Sequence, residues 1–350
     1  MDALVIQSQA NVVADQIHAV TDWPDEPAPP GGSVVVRTDC SALNHMDLWV
    51  GRGVPGLDLA YPRVSGCDAC GVVDAVGDGV DAAWLGRRVI VNAAVRQPDP
   101  IRPEDPTANS VAALYYLTGE HTNGMHRRRF TVRADQLVAI SDEADPVDAA
   151  AFGLVTLTAY SMMVTKAGLR PGQWVLITGI GGGVATSALG IARWMACPTI
   201  VTSRHQHKLD RARDLGAAHT ILDEGQDWSR EVRTITHKRG VDLAVDSVGK
   251  PTHMSCIKSL ARGGAFVTPG NTGGPRVETD QARLFWNQLR LLGSTMGTTD
   301  ELRECGALFD AGSLRPPIDS VHAWRDGQAA WARLESQQQF GKVVIDWRED

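Results

Sequence analysis

The chain is 350 residues long, 43% hydrophobic and 21% charged, with a formal net charge of −7. That length suffices for two domains with separate cores, and the acidic balance argues against a general nucleic-acid binder. No uninterrupted apolar run of about 18 residues announces a membrane span, and residues 1–16 show no basic stretch ahead of an apolar core, so a cytoplasmic protein is expected.

Residues 1 to about 150 read as short strands punctuated by turns: 34–38 after the Pro27–Gly32 turn cluster, then 71–77 and 88–91. Residues 96–109 carry four prolines and many charges and are expected to be a loop or lobe. The run Arg127-Arg128-Arg129 has two readings, an anion site for substrate or a solvated surface; on a strand, Arg127 and Arg129 would share one face. Residues 149–167 are apolar at helical spacing and bridge to the next region. No repeat or low-complexity tract is present.

From Val175 the pattern changes. An apolar strand (175–178) breaks into Gly179, Gly181, Gly182 and Gly183, and Val184 then opens a helix of small residues. Strand, glycine turn and helix in that order are what a dinucleotide pyrophosphate requires: tight turning, close backbone approach, and free N–H groups at a helix start. Further strands are expected at 199–202, 220–222, 241–245, 265–267 and 290–292, with a helix over 207–215 closed by Gly216. That alternation predicts a doubly wound parallel sheet in an α/β protein. A helix over 300–311, the Pro316-Pro317-Ile318 turn, a last helix and a strand over 341–345 complete the chain.

The end of the second strand indicates the cofactor. A carboxylate there would hold the ribose 2′-hydroxyl of NAD; this chain has Ser203 and Arg204, with Lys208 a turn later and no acid before Asp210. A hydroxyl, a guanidinium and an ammonium suit a 2′-phosphate, so NADP(H) is expected. Six cysteines are scattered; only Cys67-Asp68-Ala69-Cys70 has metal or redox spacing, without a second pair, and free structural thiols are expected.

Taken together, residues 42–48 (ALNHMDL), 66–73 (GCDACGVV), 157–160 (LTAY), the Gly179–Ala185 turn and 339–344 (QFGKVV) resemble the medium-chain dehydrogenase/reductase superfamily. The resemblance implies a GroES-like β-rich catalytic domain (1–148 and 298–350) interrupted by a Rossmann domain (149–297). The chain looks most like the zinc-independent quinone oxidoreductase and enoyl reductase branch. Zinc members carry a Cys where Asn44 stands and a His where Cys67 stands; their third ligand near 149–152 and the four-cysteine lobe near 96–115 have no counterpart here, so no metal is expected. The branch implies a homodimer paired through an edge strand near 290–294.

The resemblance also assigns roles. Asn44 and His45 occupy the active-site position and can donate hydrogen bonds; His45 would either supply a proton or contact the cofactor pyrophosphate and orient Asn44. Asp47 would orient its neighbours or simply favour a helix start, and Asp68 would hold His45, a loop arginine or a turn. Thr158 would touch the nicotinamide, the backbone of Gly270, Asn271 and Thr272 would hold its carboxamide, and Lys342 would face the cofactor or lie at the surface. The family's hydroxyl relay falls on Met46, which cannot pass a proton. These expectations describe an NADPH-dependent reductase of an activated C=C bond in a small molecule, an anionic one on the first reading of the arginine run. A zinc-free carbonyl, alcohol or quinone oxidoreductase is the alternative, and a non-catalytic NADPH-binding protein the alternative of another class.

Overall fold

The computed structural model describes residues 1–104 and 106–348. The chain divides into two compact units, Met1–Leu154 together with the chain from Gly297 onward, and Val155–Met296. The division falls inside the helix Pro146–Tyr160, a few residues beyond the boundary expected at 148.

The first unit is built on the strand Ser33–Ala42, whose Val34–Val36 run is wholly buried. It is longer than the five residues expected because three partners share it. Ala69–Val76 runs antiparallel along one side; Arg129–Arg133 takes its first half and Lys342–Asp346 its end on the other. Ile318–Ala323, Arg88–Val91 and Leu137–Ala139 complete this seven-stranded sheet. The register of Lys342–Asp346 against Cys40–Ala42 is extended by a Leu43 N–H to Val343 carbonyl bond of 2.9 Å. Trp324 and Trp347 stack at 5.7 Å, and with Trp331 they are fully buried. Truncating any one of them to alanine would cost about 3–5 kcal/mol. The proline-rich lobe is anchored by a short antiparallel pair, Ala94–Arg96 with Tyr115–Leu117.

The second unit is a six-stranded parallel sheet in the spatial order His219–Leu222, Thr199–Ser203, Val175–Ile177, Val241–Val245, Leu260–Thr268, Arg290–Gly293. Counted along the chain that order is third, second, first, fourth, fifth, sixth, with the reversal beside the first strand, where such sheets bind ligands. The central strands are buried almost throughout, as their Val, Ile and Leu content requires. One core cluster joins Leu176, Ile200, Val241 and Phe266 to Trp228 and Ile257 from the covering segments.

Among the described residues one helical stretch, Pro146–Lys166, is long and apolar enough to cross a membrane, and 78% of its most apolar window is buried in the protein. Its last turns, Ser161–Lys166, are π-helical, with the Ala167 N–H reaching Met162.

The arginine run departs from expectation. The strand starts only at Arg129, so the three side chains do not alternate across one strand. Arg127 is buried and pairs with Glu26, Arg128 bonds Asp2 and the Trp347 carbonyl, and Arg129 pairs with Asp74. Each guanidinium is matched to a carboxylate within the first unit. Arg127 and Arg128 are therefore internal ties, whereas Arg129 and Asp74 form an exposed pair, as the solvated-surface reading expects.

Candidate active site

In the first unit the sequence-marked residues gather where the strand Ser33–Ala42 runs into the helix His45–Arg52. Asn44 is extended (φ −129°), and its backbone N–H donates to Asp47 Oδ2 at 2.7 Å, the reciprocal bond of a capping box. The Asn44 side chain turns inward. Its amide donates to Asp68 Oδ2 (3.1 Å) and the Ala42 carbonyl (3.3 Å), lies 3.5 Å from Cys67 Sγ, and accepts from Lys342 Nζ at 2.7 Å. Both amide hydrogens are thus committed, so Asn44 acts here as an internal connector rather than as a donor held open for substrate.

Lys342 is 3% exposed and also donates to Asp68 Oδ2 at 3.0 Å. The surface alternative for this lysine is excluded. Asp68 Oδ2 is shared by Asn44 and Lys342, and its other oxygen accepts the Leu154 N–H at 2.8 Å. With two acceptors engaged, the Lys342 ammonium keeps one uncommitted N–H among the described residues. His45 opens the helix and is half-buried.

Asp47 is fully buried. Burial alone would raise its pKa, but the facing His126 imidazole and the Asn44 N–H outweigh that and hold the carboxyl below its ordinary value. Burial, followed by the charges of Asp47 and Asp68, pushes the Cys67 thiol well above the usual range.

These residues do not fit a zinc ion. Catalytic zinc takes three deprotonated protein ligands and an open position. Here the nearest side chains are a wholly buried cysteine, an amide, and a carboxylate already bonded to an ammonium. Among the described residues no group of three or more His, Cys, Asp or Glu side chains is placed to hold a metal.

In the second unit the glycine turn follows the strand Val175–Ile177 directly. Gly179 and Gly181 have φ of 62° and 118°, and Gly182 caps the helix Gly183–Trp194. The Ile180 N–H bonds the Thr202 carbonyl at 2.9 Å and pins the turn to the end of the second strand. Ser203 and Arg204 follow Thr202 directly in the chain, and Lys208 comes in the first turn of the next helix. Lys208 lies across the glycine turn: a Cβ on Gly181 would sit 2.6 Å from Lys208 Cδ and 3.3 Å from its Nζ. The arrangement fits a dinucleotide, with backbone N–H groups at a helix start for the pyrophosphate and cationic groups beyond the second strand.

Gly270, Asn271 and Thr272 form a loop after the fifth strand; Thr272 Oγ1 donates to the Ser247 carbonyl at 3.2 Å. Thr158 is buried in its helix. Sequence reasoning missed Asp246, which is fully buried and organises these loops. It accepts from Thr178 Oγ1 (2.5 Å), Thr252 Oγ1 (2.7 Å) and the Gly249 N–H (3.1 Å), joining the first and fourth strand ends. An acid closing an apolar strand just before Ser247-Val248-Gly249 was the available signal. His126 was missed as well, hidden in the charged run.

An α/β chain in which a β-rich unit is interrupted by a dinucleotide-type sheet defines a class of oxidoreductase folds. Residues 30–142 match the alcohol dehydrogenase GroES-like domain and residues 215–345 the zinc-binding dehydrogenase family. A solved structure described as an NAD-dependent alcohol dehydrogenase is 33% identical, with a TM-score of 0.91 over 99% of this chain and 100% of that one. The chain belongs to the medium-chain dehydrogenase/reductase superfamily. It is also similar to the zinc-type alcohol dehydrogenase-like protein YogA of Leptosphaeria maculans, 28% identical over 92% of both chains. A further relative is an acryloyl-coenzyme A reductase of Sulfurisphaera tokodaii, 24% identical over 94% of this chain and 96% of that one.

Proposed function

We propose that this protein is an NADPH-dependent reductase of an activated carbon–carbon double bond, an enone or enoyl compound, and that it works without zinc. The observation that carries the reading is the Lys342–Asp68–Asn44 cluster, in which an internal ammonium is bonded to both the amide and the carboxylate at the position the resemblance marks. NADP(H), when bound, supplies the hydride.

Gly181, Gly182 and Gly183 would accept the pyrophosphate, and Ser203, Arg204 and Lys208 the 2′-phosphate. Reduction of a conjugated C=C bond places charge on a carbonyl oxygen, which hydrogen-bond donors can stabilise without a Lewis acid. Carbonyl reduction asks more of a metal-free site, because the alkoxide forms on the reacting centre itself. His45, at the helix start, is the proton source in this reading, and Lys342 provides fixed positive charge beside Asn44. The acryloyl-coenzyme A reductase among the relatives agrees with this substrate class.

The test uses NADPH deuterated at the transferable position with enones, enoyl thioesters, aldehydes and quinones, and locates the label in the product. Deuterium β to a carbonyl is the expected result. Label on a carbinol carbon, or a stoichiometric zinc content in the purified protein, would replace this reading with a carbonyl or alcohol oxidoreductase, the second reading favoured by the 33% identical alcohol dehydrogenase.

We also propose a homodimer formed by the edge strand Arg290–Gly293. Three of its four residues are exposed, and Phe285 and Trp286 just before it are 66% and 72% exposed. Light scattering should give twice the chain mass, and Trp286→Asp should return the monomer.

A further inference from the structure

His126 begins the charged run that the reaction above leaves unused, yet it is fully buried and faces the helix start that carries Asn44. Its surroundings determine where its proton sits. Ser41 Oγ lies 2.8 Å from His126 Nδ1 and also accepts the Trp347 indole N–H at 2.8 Å. An indole nitrogen only donates, so the Ser41 hydroxyl proton is left for Nδ1, its remaining partner. With the Asp47 carboxylate facing the other nitrogen, the geometry favours Nδ1 as the acceptor and the ring hydrogen on Nε2. That nitrogen faces Asp47 Oδ1 at 3.3 Å, an ion-pair distance without hydrogen-bond geometry, and neither atom has a hydrogen-bond partner among the described residues.

The ring has little freedom to turn. Trp331 packs edge-on against it, with ring centroids 5.0 Å apart at 76°, and Gly66 (φ 111°) lies so close that a Cβ there would be 2.8 Å from His126 Cδ2. Asp47 Oδ2 in turn holds the Asn44 N–H at 2.7 Å.

We propose that His126 is a positioning residue. A relay of hydrogen bonds and one close charge contact, His126 to Asp47, runs from Trp347 through Ser41, His126 and Asp47 to Asn44, and fixes the start of the helix His45–Arg52 against the end of the last strand. Ser41 is itself fully buried, so the Ser–His–Asp order here is a brace and not a nucleophilic triad. The kinetic part of this inference rests on the reductase reading; the proton placement does not.

The experiment labels the histidines of the full-length protein with 15N and records long-range 1H–15N spectra, the His126 signals being those lost in His126→Gln. The expected pattern is a pyridine-type nitrogen at Nδ1 and a pyrrole-type nitrogen at Nε2. Ser41→Ala, a milder change that leaves Asp47 untouched, should move the Nδ1 resonance. A proton on Nδ1, protons on both nitrogens at neutral pH, or no response to Ser41→Ala would overturn the relay. With an acceptor from the labelled panel, His126→Phe should lower kcat about 10–100-fold with little change in KM, because a small misplacement near the chemistry is costly. His126→Gln, whose amide still donates toward Asp47, should recover most of that loss; equal kcat values for His126→Phe and wild type would overturn the positioning role. No turnover of any acceptor would defeat the reductase reading and leave the nitrogen assignment standing on its own.

Discussion

Lys342 and Asn44 are 298 residues apart in sequence and are joined by a buried hydrogen bond of 2.7 Å, with Asp68 bonded to both. A buried carboxylate whose cation is removed is uncompensated. Lys342→Met should therefore destabilise the protein by about 3–5 kcal/mol in urea denaturation. Adding Asp68→Asn should return most of the stability without returning activity, since the charge beside Asn44 stays absent. A Lys342→Met cost below about 1 kcal/mol would mean that the pair is not formed in solution.

Removing Arg204 should weaken NADPH more than NADH. Bonds to a charged group are each worth about 1.5–3 kcal/mol, so Arg204→Ala should raise the NADPH Kd roughly 10–100-fold. NADH binding should barely change. Cofactor fluorescence titration measures both, and parallel loss for the two cofactors would point away from a 2′-phosphate contact.

Asp227 gives a pH signature in the second unit. Burial acts to raise its pKa, but bonds from Lys258 and Ser229 prevail and bring it down from 3.8 to about 2. A folded-state value below the unfolded one contributes stability above pH 3.8 that is lost as pH falls through about 2. Wild type should thus exceed Asp227→Asn in stability near neutrality, and the two curves should converge at the acid end. Curves that stay parallel down to pH 2 would show that the carboxylate gains nothing on folding.

All six cysteines are free and buried. Burial raises the Cys70 thiol to about 12, and it raises Cys40, Cys67, Cys197, Cys256 and Cys305 as well. The thiolate is the reactive form. A thiol reagent at pH 8 should leave the folded protein unlabelled and modify six groups once it is unfolded; fast labelling of the native chain would contradict the burial.

Much of the second unit is legible in the chain itself. The strand, the glycines at 179 and 181–183 and the following helix are contiguous, and the Ser203–Lys208 patch lies one strand further on, so local order alone places them together. The helix expected over 207–215 is observed as Gln206–Asp214, and in the first unit the last strand expected over 341–345 is observed as Lys342–Asp346. The first unit was less readable. The charged run 126–129 gave no sign that His126 is enclosed while Arg127–Arg129 pair with acids contributed by distant segments.

What the sequence by itself determined is the class of chain, a β-rich domain interrupted by a dinucleotide-type sheet, because backbone periodicity, glycine turns and charge at a strand end are written within a few dozen residues. Only the tertiary structure decided that Lys342 neutralises Asp68, that Asn44 spends its amide inside the cluster, and that His126 faces Asp47. Those pairings depend on the antiparallel register between Cys40–Ala42 and Val344–Asp346 and on burial, which makes each polar atom find a partner from whichever segment the fold brings beside it.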